Sequence, residues 1–307
     1  RRQRQMCIRD SIITDLKEAF RRGNVYIQLI FINVGVFVIT TLIGILLQLF
    51  NRSAAGIFEL LALPASFTRF AWQPWSIFTY MFMHAGFLHI LFNMLWLYWF
   101  GALFLYFFSG KHLRGLYIVG GICGGLLYMI SYNVFPYFRP MTAYSTMVGA
   151  SASVLAIVVA TAYREPNYPV RLLFFGNVRL KYLALIVVLT DLLFITSSNA
   201  GGHIAHLGGA LAGLWFAASL NKGKDITSWV NKALDAIAAL FSAKTWKRKP
   251  KMKVHYGNNT RQNDYDYNAR KKAQSDEIDR ILDKLKKSGY ESLTTEEKKS
   301  LFDASKR

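Results

Sequence analysis

The sequence predicts an all-α protein, a polytopic membrane bundle of six transmembrane helices with a mostly helical and flexible cytoplasmic tail. Three observations predict it. Residues 26–220 carry only 12 charged side chains, nine basic and three acidic, set as gaps between long apolar runs. Six of those runs approach or exceed the length needed to cross about 30 Å of hydrocarbon. The Lys and Arg residues outside them alternate between many and few, as cytoplasmic and external loops do. With 53% hydrophobic and 18% charged residues over 307 positions, the composition excludes an ordinary cytosolic enzyme and a disordered chain alike. A net charge of +19 would suit nucleic acid only as a patch on a folded surface. It lies instead mainly at the two ends of the chain, so no nucleic-acid partner is expected.

Residues 1–25 form a cytoplasmic N-terminal segment with seven basic side chains. The chain opens on Arg1 rather than Met, as a fragment of a longer protein would. The six spans run over 26–50, 82–108, 116–132, 147–163, 180–195 and 204–220, within a membrane domain covering 26–221. None resembles a cleavable signal peptide, since the first is too long and no small-residue cleavage pattern follows it. The N-terminal segment, the connection holding Lys111 and Arg114, and the loop holding Arg164, Arg171, Arg179 and Lys181 contain 13 basic residues, and the tail adds 21. The alternate loops hold three, Arg52, Arg69 and Arg139. Both termini are therefore expected in the cytoplasm, which requires an even number of spans. Cys7 then lies on the cytoplasmic side and Cys123 inside the third span, so no disulfide is expected.

Between the first two spans, residues 54–75 mix apolar clusters with Phe70, Trp72 and Trp75, and read as a loop partly embedded at headgroup depth. Beyond the bundle, residues 222–243 place Ile226, Trp229, Val230, Ala233, Leu234, Ile237, Leu240 and Phe241 at helical spacing beside several lysines. That pattern predicts an amphipathic helix on the membrane surface, with packing beneath the bundle as the alternative. Residues 244–275 read as a flexible linker. Residues 276–307 read as a small helical hairpin, with Gly289 capping the first helix and Thr294 and Glu297 forming a capping box on the second.

Polar side chains inside spans are costly and mark function or helix contacts. In the second span His89 and Asn93, four apart, project from one helical face. The alternative for this pair taken alone, and the lesser one, is hydrogen bonding that ties helices together. His84 points elsewhere and reads as structural. The fourth span opens with Gly149, Ala150, Ser151, Ala152 and Ser153, a stretch with almost no side-chain bulk. Ser153 is about 200° around the helix from Ser151, so only one of them can serve a given site. In the sixth span His206 shares a face with Gly209 and Gly213, a groove through which a small-residue helix could pack closely. His203 is its rival and reads as a loop or interface histidine. The combination is more informative than its members. Serine becomes a nucleophile when a neutral imidazole accepts its proton, and the tetrahedral oxyanion needs donors that His89, Asn93 and the Ser151 N–H together provide. Gly149 would let a substrate backbone approach.

At these residues the sequence resembles the rhomboid intramembrane serine proteases, through a His-x-x-x-Asn in the second span, a Gly-x-Ser opening the fourth and an Ala-His-x-x-Gly-x-x-x-Gly in the sixth. The resemblance implies a rhomboid-like bundle in which Ser151 is the nucleophile and His206 the general base of a dyad without an acid, with His89 and Asn93 as oxyanion donors. It implies no metal and no cofactor. The sequence departs from the family pattern at Ala152, where glycine is usual, at Leu155, where many members stack an aromatic on the histidine, and at Ser76, where an Arg often follows the Trp. Asp191 in the fifth span reads as an acid paired within the bundle rather than as a third catalytic member.

The expected function is intramembrane serine endopeptidase activity on transmembrane or juxtamembrane segments of membrane proteins, near the outer face. The expected setting is the bacterial inner (plasma) membrane, with the basic tail against anionic lipids. The alternatives are a catalytically silent relative that binds membrane helices and a small transporter.

Overall fold

The computed structural model describes residues 24–172, 176–240 and 260–305. They divide into two compact units parted between Ser242 and Ala243. Among the described residues four helices are long and apolar enough to cross a membrane. These are α1 (Val25–Leu49), α5 (Phe87–Phe107), α6 (Gly110–Val134) and α9 (Ala200–Asn221), and they make the chain an integral membrane protein. The expected fourth and fifth spans are shorter helices. These form α7 (Ser151–Arg164) and α8 (Leu180–Leu193), each of 14 residues, or about 21 Å of rise. The start of the fourth run is spent outside the helix. Thr146–Met147 (β2) pairs with Leu63–Pro64 (β1), and Gly149 takes a φ of +135°.

Helix α7 tolerates being short because it meets little lipid. Every residue from Ala152 to Ala162 is buried. Its neighbours reach it through glycines. A Cβ on Gly120 would lie 2.6 Å from the Ala156 Cβ, and one on Gly124 would lie 2.7 Å from the Ala152 Cβ. On the other side, added methyls at Gly209 and Gly213 would run into the carbonyl oxygens of Ala152 and Ala156. Gly208 of α9 and Gly124 of α6 close the third contact. Repeats four residues apart on three helices thus let three backbones meet around α7, with dispersion replacing the hydrophobic drive that lipid does not supply. Gly209 and Gly213 belong to this packing, the groove their spacing predicts.

The segment between α1 and α5 folds as α2 (Ala55–Leu61), α3 (Phe67–Trp72) and α4 (Ser76–Thr79), followed by a 3-10 turn at Tyr80–Phe82. Trp72 is 83% exposed, as a side chain at a bilayer surface would be. The Trp75 indole N–H donates to the Leu60 carbonyl at 3.0 Å. Ser76 is fully buried, so this position has no room for the arginine common in relatives. One buried polar chain crosses the bundle: the Asn33 amide donates to the Tyr117 hydroxyl at 3.0 Å, and that hydroxyl donates to the Met81 carbonyl.

At the end of the bundle opposite Ser151, a β3–β4 hairpin (Pro169–Leu172 with Gly176–Arg179) precedes α8. Helix α10 (Ser228–Leu240) docks on α6 there. The Asn231 amide donates to the Lys111 carbonyl, and Arg114 reaches Asn231 Oδ1 at 3.0 Å and Asp235 at 2.8 Å. Packing beneath the bundle therefore describes α10, while Trp229 and Ile237 remain exposed. Cys123 is a free thiol, and Cys7, like residues 1–23 as a whole, lies outside the described residues.

In the second unit α11 (Thr260–Ser288) and α12 (Thr295–Ser305) flank a 3-10 turn. The flexible linker expected over 244–275 is corrected from Thr260 onward, where the chain is helical; 244–259 lie outside the described residues. No Gly or Pro interrupts 260–288, so the helix that holds Ile278, Ile281, Leu282 and Leu285 extends back to Thr260 without a breaker. Gly289 ends α11 at φ +74°. The Glu297 carboxylate accepts from the Thr294 N–H at 2.8 Å while the Thr294 Oγ1 accepts from the Glu297 N–H. Ile281 and Leu293 are buried between the two helices.

Candidate active site

Ser151 is the first residue of α7, so its backbone N–H has no partner within the helix. Its position is set from behind. The β1–β2 pairing holds the chain at Met147, and the Gly149 N–H donates to the Tyr80 carbonyl at 2.9 Å. Gly149 is required twice over, because its φ lies in the region L side chains avoid and because a Cβ there would sit 2.9 Å from the His89 ring. It thereby makes room for the His89 ring beside Ser151.

The α7–α9 contact at Gly209 brings His206 alongside Ser151. The Ser151 Oγ–H donates to His206 Nε2 at 2.7 Å. The other ring nitrogen, Nδ1, lies 2.8 Å from Asp191 Oδ1, and His203 Nδ1 lies 2.8 Å from the same oxygen. A carboxylate can only accept, so each Nδ1 carries the proton. In neutral His206 this leaves Nε2 with its lone pair toward Ser151, the tautomer a general base requires. The expectation of a dyad without an acid is therefore corrected, since the imidazole has a carboxylate behind it. His203 is not a loop residue either, being one turn before His206 on α9 and on the same acid.

Residues His89, Asn93, Ser151 and His206 line one cavity of about 720 Å³, together with Leu88, Phe92, Trp96, Val154, Leu155 and Val187. His89 Nδ1 accepts from the Ala85 N–H at 3.4 Å. The proton of a neutral His89 is then on Nε2, the atom that faces Gly149 and the cavity. The Asn93 amide donates one hydrogen to the His89 carbonyl at 2.8 Å, and an amide nitrogen carries a second. The buried His84 packs edge-on against His89 at 5.1 Å. Ser153, 1% exposed, faces α6 instead, with its Oγ 2.8 Å from where a Gly121 Cβ would be.

The family profile described as the rhomboid domain matches residues 71–222. The chain belongs to the rhomboid family. A curated relative, RHOMBOID-like protein 12, mitochondrial, of Arabidopsis thaliana, is 29% identical over 158 residues. That match covers 48% of this chain and 47% of the relative, so the chain spans about half the length of the curated protein it matches. Residues 262–307 match a second family, described only as a family of unknown function (DUF6576). Within the rhomboid domain the departures from the family pattern now have surroundings. The Ala152 methyl is received by Gly124, and Leu155 lines the cavity without stacking on His206, whose ring is fixed from Asp191. Asp191 and His203 were not legible as site residues. The available signal was the three-residue spacing of His203 and His206, which puts both rings on one face.

Proposed function

We propose that this rhomboid is an intramembrane serine endopeptidase that cleaves transmembrane or juxtamembrane segments of membrane proteins. The observation that carries the proposal is the 2.7 Å contact of Ser151 Oγ with His206 Nε2 inside a cavity that also presents His89 and Asn93. Ser151 Oγ attacks the scissile carbonyl as its proton passes to His206 Nε2. The new imidazolium is stabilised by Asp191. The oxyanion meets His89 Nε2–H, the free Asn93 N–H and the Ser151 N–H, and His206 then gives its proton to the leaving amine. A helical substrate has its backbone groups bonded to one another, so it must unwind locally before attack.

In this reading the fourth and fifth segments complete a six-segment rhomboid core, with both termini cytoplasmic and Ser151 toward the outer face of a bacterial plasma membrane. Its support is the gathering of Lys111, Arg114 and Arg164 at the end of the bundle away from Ser151. The basic tail would then face anionic lipid. The test is cleavage of a panel of reconstituted single-span substrates by wild type and Ser151→Ala, with labelling by a serine-directed fluorophosphonate. Cleavage and labelling confined to the wild type are expected; equal cleavage by Ser151→Ala refutes the proposal.

A further inference from the structure

Asp191, His203 and His206 offer three ligand atoms within 4.8 Å of one another, one carboxylate oxygen and two imidazole nitrogens. Hydrogen bonding accounts for only part of this cluster. Asp191 is 4% exposed, yet its second oxygen, Oδ2, is buried with no hydrogen-bond partner among the described residues. A buried acceptor left unmade is costly, and more so when charged. Among the described residues the ion-pair partners of Asp191 are the two histidines alone, and both rings are needed as donors to Oδ1. Oδ2 is thus an unmet acceptor on the carboxylate whose other oxygen stands where the two nitrogens converge.

We propose that Asp191, His203 and His206 form an inhibitory site for a divalent transition-metal ion of the zinc class. Two imidazoles and a carboxylate are a ligand set for Zn²⁺, whereas Mg²⁺ and Ca²⁺ take oxygen ligands. Ligands about 2.0–2.2 Å from a tetrahedral ion stand roughly 3.3 Å apart. The two 2.8 Å nitrogen–oxygen separations then need to open by only about half an ångström. The His203 and His206 side chains are 19% and 23% exposed, so an ion can reach them.

The consequence for chemistry follows from proton positions. An ion held at Nδ1 of a neutral imidazole requires the proton on Nε2. In both rings the proton moves from Nδ1 to Nε2, and none is released. His206 Nε2–H then donates to Ser151 Oγ across the 2.7 Å contact and can no longer accept its proton. The ion removes the general base without touching the serine. The inhibitory half of this proposal rests on the protease reading above; the binding half does not.

The full chain in detergent, as Ser151→Ala, is titrated with Zn²⁺ alone by calorimetry, and compared with Ser151→Ala/His203→Ala. One equivalent is expected at the cluster, weakened roughly 10²-fold by loss of the His203 ligand. In the Ser151-bearing protein, Zn²⁺ should suppress cleavage relative to the same sample in chelator, and Mg²⁺ should not. The His203→Ala variant, measured against its own chelator-treated rate, should lose that suppression. No stoichiometric Zn²⁺, or Zn²⁺ bound equally well without His203, overturns the site; zinc bound at the cluster with cleavage unchanged overturns the inhibition. Absence of cleavage in chelator would instead sink the protease reading, and leaves the calorimetric test of the site intact.

Discussion

The carboxylate behind His206 makes a quantitative prediction. In the ground state Asp191 accepts a hydrogen bond from a neutral ring at 2.8 Å. As Ser151 attacks, that ring becomes an imidazolium whose charge centre is about 4 Å from the carboxylate, an attraction of about 4 kcal/mol at an effective dielectric of about 20. Part of it is already present as the neutral hydrogen bond, so the share gained only in the transition state is about 2–4 kcal/mol. At 1.36 kcal/mol per decade, Asp191→Asn should lower kcat by about 30- to 10³-fold. KM should change little, because Asp191 is buried and does not line the cavity. The assay is single-turnover cleavage of a reconstituted substrate, with kcat and KM separated and thermal stability followed in parallel. A folded Asp191→Asn protein with kcat within twofold of wild type would refute the reasoning, as would a loss confined to KM.

Gly209→Ala places a methyl against the Ala152 carbonyl, so α7 and α9 must separate by on the order of 1 Å; activity should fall about 10²-fold and stability by about 1–3 kcal/mol, read from cleavage rates and thermal unfolding. Gly149→Ala should lower fluorophosphonate labelling of Ser151 by at least about tenfold, since the left-handed φ and the His89 ring both oppose a side chain. Asn93→Ala should reduce kcat by about 10²–10³-fold if its free N–H meets the oxyanion, measured at saturating substrate. In the tail, the Thr294 N–H first, and then Lys284, hold the Glu297 carboxyl below its ordinary value of 4.5. A lowered acid pKa contributes stability above that value and loses it as pH falls through the folded pKa. Far-UV circular dichroism of a 260–307 segment should therefore show helix lost below about pH 4.5 in the wild type, and a flatter profile for Glu297→Gln.

What could be read in advance was periodicity. His89 with Asn93, and His206 with Gly209 and Gly213, are spaced by one or two helical turns, and whole turns are all that is needed to put them on one face. The same logic found the capping box at Thr294 and Glu297. Asp191 pairs within the bundle, as its sequence position suggests, but its span is entered from the end opposite Ser151, and this hides that its partners are His203 and His206. The distance along the helix accounts for the pairing. Asp191 is the twelfth residue of a 14-residue helix, about 16 Å from its start, and so reaches the depth of His206. The length of α7 was also hidden, since nothing in an apolar run reveals that its first residues are taken by a strand pairing and a left-handed glycine. The helix over 260–275 was missed because its polar sequence shows no apolar period of its own; it continues, with no Gly or Pro to stop it, from the patterned turns that follow.

The burial of α7 bears on how the protein meets membranes of different thickness. Helix α1 presents Ile39, Leu42, Leu46 and other apolar side chains outward, and a helix in that position answers hydrophobic mismatch by tilting. Helix α7 has no such freedom, since its faces are taken by α5, α6, α8 and α9. A thinner or thicker bilayer therefore strains the periphery while the register between Ser151 and its partners is kept. The alignment of Ser151 with His206 is a property of the protein's interior, and lipid composition acts on the outer helices before it reaches that contact.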